Sequence, residues 1–202
     1  MHHNLSEGNS LIYELRGWLS EIAPNIDFSY VTNQKTDSAN AEIDGFRPTN
    51  VGFGLSYTLP VLVAILGMSS QAPSTGWREN WGNEWDQKRQ ENGVMLIIEN
   101  PEAHLHPQGQ TAMGRLIALA AASGVQVVVE THSDHLMDGI RIATKEQLIQ
   151  AKSIAFHYLS KNTDGYSEII TPRIHQNGKL DLWPEGFFDQ TLKNRASLAK
   201  RS

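Results

Sequence analysis

The sequence predicts an α/β fold in which a parallel sheet flanked by helices is followed by a small strand-rich tail, and three observations carry that expectation. Val94–Ile98 (VMLII) is a continuous apolar run, bounded by Gly93 and by Glu99-Asn100-Pro101, and Val125–Val129 repeats the pattern. Strands that are buried on both faces read this way. Each run is followed by a helical stretch, Gln108–Ser123 and Asp134–Ala143, and strand-helix-strand-helix order implies right-handed crossovers and parallel pairing. After Lys152 the chain changes to short apolar segments split by turn signals. Composition agrees: 202 residues allow a well-buried core, and 40% hydrophobic with 19% charged residues is an ordinary globular balance.

From the N-terminus, Leu5–Ile22 carries apolar residues at Leu11, Ile12, Leu15, Trp18, Leu19 and Ile22, the spacing of an amphipathic helix, and Pro24 ends it. Ile26–Asp44 is polar with an aromatic and β-branched burst at Phe28–Val31, so a short strand or hairpin and then a loop is expected. Gly52-Phe53-Gly54 opens a buried helix, SYTLPVLVAILGM, in which Pro60 falls in the early turns. Ser70–Gly93 turns abruptly polar and reads as an insertion or long loop. Its Trp77, Trp81 and Trp85 are four apart, which on a helix would put them on one face, docked on the domain rather than exposed. Gly124 is a stop signal for the helix between the two buried strands. In the tail, Ile154–Ser160 is expected as a strand, then Ser167–Pro172 and Arg173–Leu182 as a hairpin pair, with turns at Asn162-Thr163-Asp164-Gly165 and Gln176-Asn177-Gly178. Glu185–Ser202 reads as a short helix or tail. The domain division is 1–150 for the α/β part, with 70–93 as the Trp-rich insertion, and 151–202 for the tail.

Several function classes fall away on composition. Seventeen Lys and Arg against 22 Asp and Glu give a net charge of −5, which argues against nucleic-acid binding through bulk charge. The absence of Cys excludes disulfide frameworks, thiolate metal sites and thiol nucleophiles. Leu59–Met68, the longest apolar run, falls short of the ~20 residues that span a bilayer, and MHHNLSEGNS has neither the basic nor the apolar region of a secretion signal. A cytoplasmic protein without a membrane partner is expected. Ser56 lacks the G-x-S-x-G elbow of a serine hydrolase and reads as a helix N-terminal residue.

In open parallel sheets ligands bind beyond the carboxyl ends of the strands. Two polar clusters fall there: Glu99–Pro107 (ENPEAHLHP) and Glu130–His135 (ETHSDH). A carboxylate at a strand tip suits Mg²⁺ bridging phosphates, because that ion takes one or two carboxylates and fills its remaining positions with water and phosphate oxygens. Glu99 is so placed. His132, at the neighbouring tip, can reach a phosphate or a water. For each residue alone, capping or packing is the simpler role; the constellation favours a site.

ENPEAHLHP with THSDHL downstream resembles the C-terminal half of an ABC-type ATPase of the SMC-like, RecF-like and OLD (overcoming lysogenisation defect) group, over about Asn50–Arg141. The strand pairs beyond resemble the tail domain of unassigned function that follows such ATPases. The resemblance implies a P-loop NTPase fold with ATP and Mg²⁺ as ligands. It implies that Val94–Glu99 is Walker B, with Glu99 as the Mg²⁺-associated acid. Asn100 then stands where the water-polarising glutamate is usual; an amide cannot take a proton, and Glu102 is near enough in sequence to substitute. Ala103–His106, with His104 and His106, corresponds to the D-loop, and His132 to the switch histidine. Gly52, Phe53 and Gly54 correspond to the signature motif, with Gly52 replacing its serine. Dimerisation through the signature and D-loop face, an attached effector, and a link to DNA transactions or phage defence are implied in the same way.

No G-x-x-x-x-G-K-[ST] string, the Walker A loop such an enzyme needs, occurs in the 202 residues. The sequence therefore reads as a fragment, as one piece of a split enzyme whose Walker A half is another chain, or as a degenerate, non-catalytic interaction subunit. A rival from a different class is a metal-dependent hydrolase built on His104, His106, His132 and His135, with Glu99 completing the site.

Overall fold

The computed structural model describes residues 8–33, 38–70 and 81–200. Helix α1 (Gly8–Ile22) leads to an antiparallel hairpin of β1 (Phe28–Asn33) and β2 (Ser38–Ile43). Of the two readings for that stretch, the hairpin is the one formed. The expected start of α1 at Leu5 lies outside the described residues. Helix α2 (Phe53–Ser69) follows, with Pro60 inside it. The polar insertion is not all loop: Trp81–Asn92 forms helix α3, on which Trp85 is half-buried, while Trp77 lies outside the described residues.

Strands β3 (Val94–Glu99) and β4 (Val125–Glu130) pair in parallel, Val94 opposite Val125 through to Glu99 opposite Glu130. Helix α4 (Pro107–Ala122) connects them, and α5 (Asp134–Lys145) follows β4. Leu96, Ile98, Val127 and Val129 pack against a core drawn from α1, α2, α4 and α5, including Leu19, Leu62, Ile65, Met113, Leu116 and Leu136. Helices α4 and α5 cross at Gly114 and Gly139. A Cβ on Gly114 would stand 2.0 Å from the Leu136 carbonyl oxygen, and one on Gly139 2.2 Å from that of Thr111. Only hydrogen side chains let the two backbones come so close.

The other face of the β3–β4 pair is open. Met95, Ile97 and Val128 are 54%, 72% and 49% exposed. Strand β3 is apolar on both faces up to Glu99, as buried parallel strands are, and β4 adds Val128 between Gln126 and Glu130 on the outer one, yet among the described residues only one face is covered.

The tail departs from expectation in one respect. Strand β5 (Tyr158–Lys161) pairs antiparallel with β6 (Ser167–Ile170), so the hairpin turns at Asn162–Gly165, and Arg173–Leu182 keeps a single bridge between Ile174 and Leu180. Pro172 has no N–H to donate to a ladder. The turn at Gln176-Asn177-Gly178 forms, with His175 N–H bonded to the Lys179 carbonyl at 2.8 Å, and the Gln176 side-chain amide donates to the carbonyls of Thr144 (2.6 Å) in α5 and Ile149 (3.2 Å) beyond it. Arg141 adds a bond to the Gly178 carbonyl (2.8 Å) and stacks over Trp183 at 5.3 Å. The tail ends in α6 (Gln190–Ala199). No helix among the described residues is long and apolar enough to cross a membrane.

Candidate functional site

The in-register pairing of β3 with β4 puts Glu99 beside Glu130 at the carboxyl end of the ribbon. Exposure alternates along both strands, so Glu99 shares a face with Met95 and Ile97, and Glu130 with Gln126 and Val128. Both carboxylates therefore crown the open face. His132 lies just beyond, its side chain 83% exposed, with Nε2 at 3.0 Å from Glu130 Oε1.

After β3 the chain makes two tight turns, Ala103 N–H to the Asn100 carbonyl and Leu105 N–H to the Glu102 carbonyl, both 3.0 Å. Asn100 (φ 46°) and His104 (φ 62°) are left-handed. Asn enters that region at lower cost than most side chains, which gives Asn100 a structural reason at its position. Its N–H also donates to the Glu130 carbonyl (2.9 Å), fastening the loop across the strand tips.

Glu102 is turned inward and is 7% exposed. Its Oε1 accepts the His132 main-chain N–H at 2.8 Å, and Oε2 is buried with no hydrogen-bond partner. A second link runs alongside it. Gln110 Nε2 donates to the Leu105 carbonyl (2.8 Å), Ser133 Oγ donates to Gln110 Oε1 (2.5 Å), and Ser133 Oγ accepts from Leu136 N–H (3.0 Å) as the N-cap of α5.

The glycine motif meets the same loop. Gly52 caps α2, its carbonyl accepting from Leu55 and Ser56. A Cβ on Gly54 would lie 2.8 Å from the His104 carbonyl oxygen, so the first turn of α2 rests directly on the 103–106 segment. One turn on, the Tyr57 hydroxyl donates to the Glu99 carbonyl at 2.7 Å. Gly54, Glu99, Asn100, Glu102, Ala103, His104 and His132 are thus gathered at one end of the sheet. His106, exposed, opens α4 through its carbonyl, which accepts from Gln110 N–H (3.0 Å). For Phe53 only the backbone, at the start of α2, is described.

The four histidines do not form a metal centre. Among the described residues no three His, Asp or Glu side chains converge as ligands. His132 is turned to Glu130, while His135 lies 3.7 Å from Asp134 on the first turn of α5. The metal-dependent hydrolase alternative therefore has no ligand cluster to rest on among the described residues. Tyr57, Gln110 and Ser133 join the site only in the fold. Ser133, directly ahead of an apolar-periodic run, carries a readable N-cap signal; the other two act through tertiary contacts that no spacing rule announces.

A family model described as an AAA ATPase domain matches residues 12–137, and one described as a protein of unknown function (DUF3696) matches residues 149–198. Among curated proteins nothing matches. Two solved structures are similar to the chain. One, from work on the ATP-driven dimerization and DNA-stimulated activation of SMC ATPases, gives a TM-score of 0.48 at 11% identity over 96% of this chain and 98% of the other. The second, an SmcHead bound to the C-winged helix domain of ScpA, gives 0.49 at 13% identity over 80% of this chain and 41% of the other.

Proposed function

The chain belongs to the AAA ATPase domain family, and from that premise we propose that it is the C-terminal part of an ATP-hydrolysing enzyme completed by a Walker A-bearing half. One observation carries the reading: the uncovered apolar face of the β3–β4 ribbon is also the face on which Glu99 stands. A Walker A loop and the Walker B acid hold the same Mg²⁺ and phosphates. A half that supplied the missing loop would therefore have to come up to the face where Met95, Ile97 and Val128 offer apolar surface for it. The donor chemistry agrees, since Glu99 is an exposed carboxylate, and Mg²⁺ is held by one or two carboxylates with phosphate and water oxygens.

In this reading Glu99 binds Mg²⁺ and His132 meets the γ-phosphate. Gly52, Phe53, Gly54, Ala103, His104 and His106 form the surface that meets ATP held by a second protomer, with the N–H groups at the start of α2 directed to phosphate. Closure on ATP would move an attached effector. Asn100 and the missing Walker A favour a second reading, a non-catalytic subunit of such a complex.

Equilibrium binding of a fluorescent ATP analogue with Mg²⁺ to the 202-residue chain, alone and with a Walker A half, tests the proposal. The expected result is no binding alone and micromolar binding together. Micromolar binding by the chain alone would place the nucleotide elsewhere. Assembly with the half, without binding, would establish the non-catalytic reading.

A further inference from the structure

Position 100 holds an amide, so the completed enzyme needs another group to take the proton from the attacking water. Glu102, its neighbour in sequence, is badly built for that work. A general base must lie within hydrogen-bond reach of the water, but one Glu102 oxygen is occupied by the His132 N–H, and the other is sealed from solvent. Glu130 differs on every point. It is paired in register with Glu99, stands on the same open face, is 47% exposed, and is 3.0 Å from the His132 imidazole.

We propose that the Glu130–His132 pair is the proton acceptor in ATP hydrolysis, and that Glu102 is the positioning residue that holds His132 beside Glu130. The proposal rests on the ATPase reading above. In the step, the water oxygen forms a bond to the γ-phosphorus, and the bond from that phosphorus to the bridging oxygen breaks. ADP leaves with the electron pair, and the water proton passes to the pair, which releases it to solvent. Three links support the assembly: Glu102 Oε1 to His132 N–H, Gln110 to Ser133 Oγ, and Asn100 N–H to the Glu130 carbonyl. The first and third tie the loop after β3 to the end of β4 and the residues just past it, and Gln110, on α4, joins Ser133 to that loop through its bond to the Leu105 carbonyl.

Paired substitutions separate the roles. In the complex with its Walker A half, Glu130→Gln is expected to lower kcat by about 10²-fold or more, the usual worth of a general base. Binding of a non-hydrolysable ATP analogue should stay within about threefold of wild type, since an amide removes proton acceptance and little ground-state binding. Glu102→Gln keeps an oxygen for the His132 N–H and replaces a buried carboxylate by a neutral group, which is less costly to bury. It is expected to retain the rate and its pH profile within about threefold, whereas Glu102→Ala should lose about tenfold or more, as expected where a misplaced group is still present. Amide exchange at His132 in the 202-residue chain reads the bracket without nucleotide: protection retained in Glu102→Gln, and lost in Glu102→Ala. Full activity in Glu130→Gln would overturn the proposal, and so would loss of hydrolysis in Glu102→Gln with the His132 amide still protected. A wild-type complex that binds the analogue but never hydrolyses ATP also overturns it. A complex that binds no nucleotide sinks the ATPase reading itself, and the amide-exchange result then decides the bracket alone.

Discussion

Along β3 and β4, neighbouring residues of the same apolar character meet opposite surroundings. Leu96, Ile98, Val127 and Val129 face four helices, whereas Met95, Ile97 and Val128 face away from every described element. In most parallel sheets both faces are covered because crossover helices fall on both sides. Here α4 and α5 both lie with α1 and α2 on the inner side, and among the described residues no helix covers the apolar side chains of the outer side. The difference teaches that an apolar run fixes a strand and not what lies on each of its faces. The outer face carries Met95, Ile97 and Val128 alongside Gln126, and Glu99 stands at its tip.

Val127 and Val128 put this contrast to its most severe test, because they are adjacent and differ only in the face they present. Val127→Asp would press an unpaired carboxylate into the core and should destabilise the chain by about 3 kcal/mol or more in urea unfolding. Val128→Asp should change stability by no more than about 0.5 kcal/mol, as surface substitutions do, while preventing assembly with a Walker A half. Equal destabilisation by the two would mean that the outer face is already covered. Undisturbed assembly in Val128→Asp would mean that the half docks elsewhere.

The inner face depends in turn on how closely α4 and α5 approach. Gly114→Ala places a methyl where 2.0 Å separates it from the Leu136 carbonyl oxygen, a backbone atom that can yield only if α5 shifts. Overpacking of this kind costs about 1–3 kcal/mol, and the strand contacts beneath should loosen with it. Chemical denaturation measures the loss, and amide exchange in β4 shows whether the inner face opens. A smaller effect is expected at the rim where the faces meet. Ser133→Ala removes the N-cap of α5 and its bond to Gln110, and should lower stability by about 1 kcal/mol. Because that bond is the second link to the loop after β3, Ser133→Ala should also speed amide exchange at Leu105–Gln110.

Much of this was legible in the residues, and what was not has a physical reason. The two buried strands, their helices and the tip positions of Glu99 and His132 follow from apolar runs bounded by turns, a signal local to each segment. The hairpin at Phe28–Ile43 needed only one strand to be recognised. The turn at Gln176-Asn177-Gly178 forms but carries only the bridge between Ile174 and Leu180, and the reach of the Gln176 side chain to the carbonyl of Thr144, 32 residues away, is a tertiary contact that no local signal announces. Helix α3 lacks an apolar stripe, so periodicity gives no signal for it. Glu102 shows the limit most clearly. Chain proximity to Asn100 made it the natural substitute acid, and only the fold reveals that it is buried against the His132 amide.

The weakest prediction lies farthest from both faces and checks that the contrast is local. In the tail, Asp189 accepts from the Gly186 N–H (3.0 Å) and pairs with Lys193 (2.8 Å). The hydrogen bond from Lys193, then that from Gly186, hold its carboxyl below the ordinary Asp value, and Lys193 is raised in return. A carboxyl depressed in the folded state contributes stability above its unfolded pKa and loses it as pH falls through the folded value. Asp189→Asn should therefore melt slightly below wild type from about pH 5 upward, and the difference should close on acidification below the ordinary Asp range of about 3.9. Lys193 is half-exposed and the Asp189 carboxyl is partly open to solvent, so salt should shrink the effect. Thermal melts across pH at two ionic strengths measure it, with the His132 amide as an internal control. If exchange at His132 changed with Asp189, the tail would be coupled through α5 to the strand tips, and the two faces could no longer be treated apart from it.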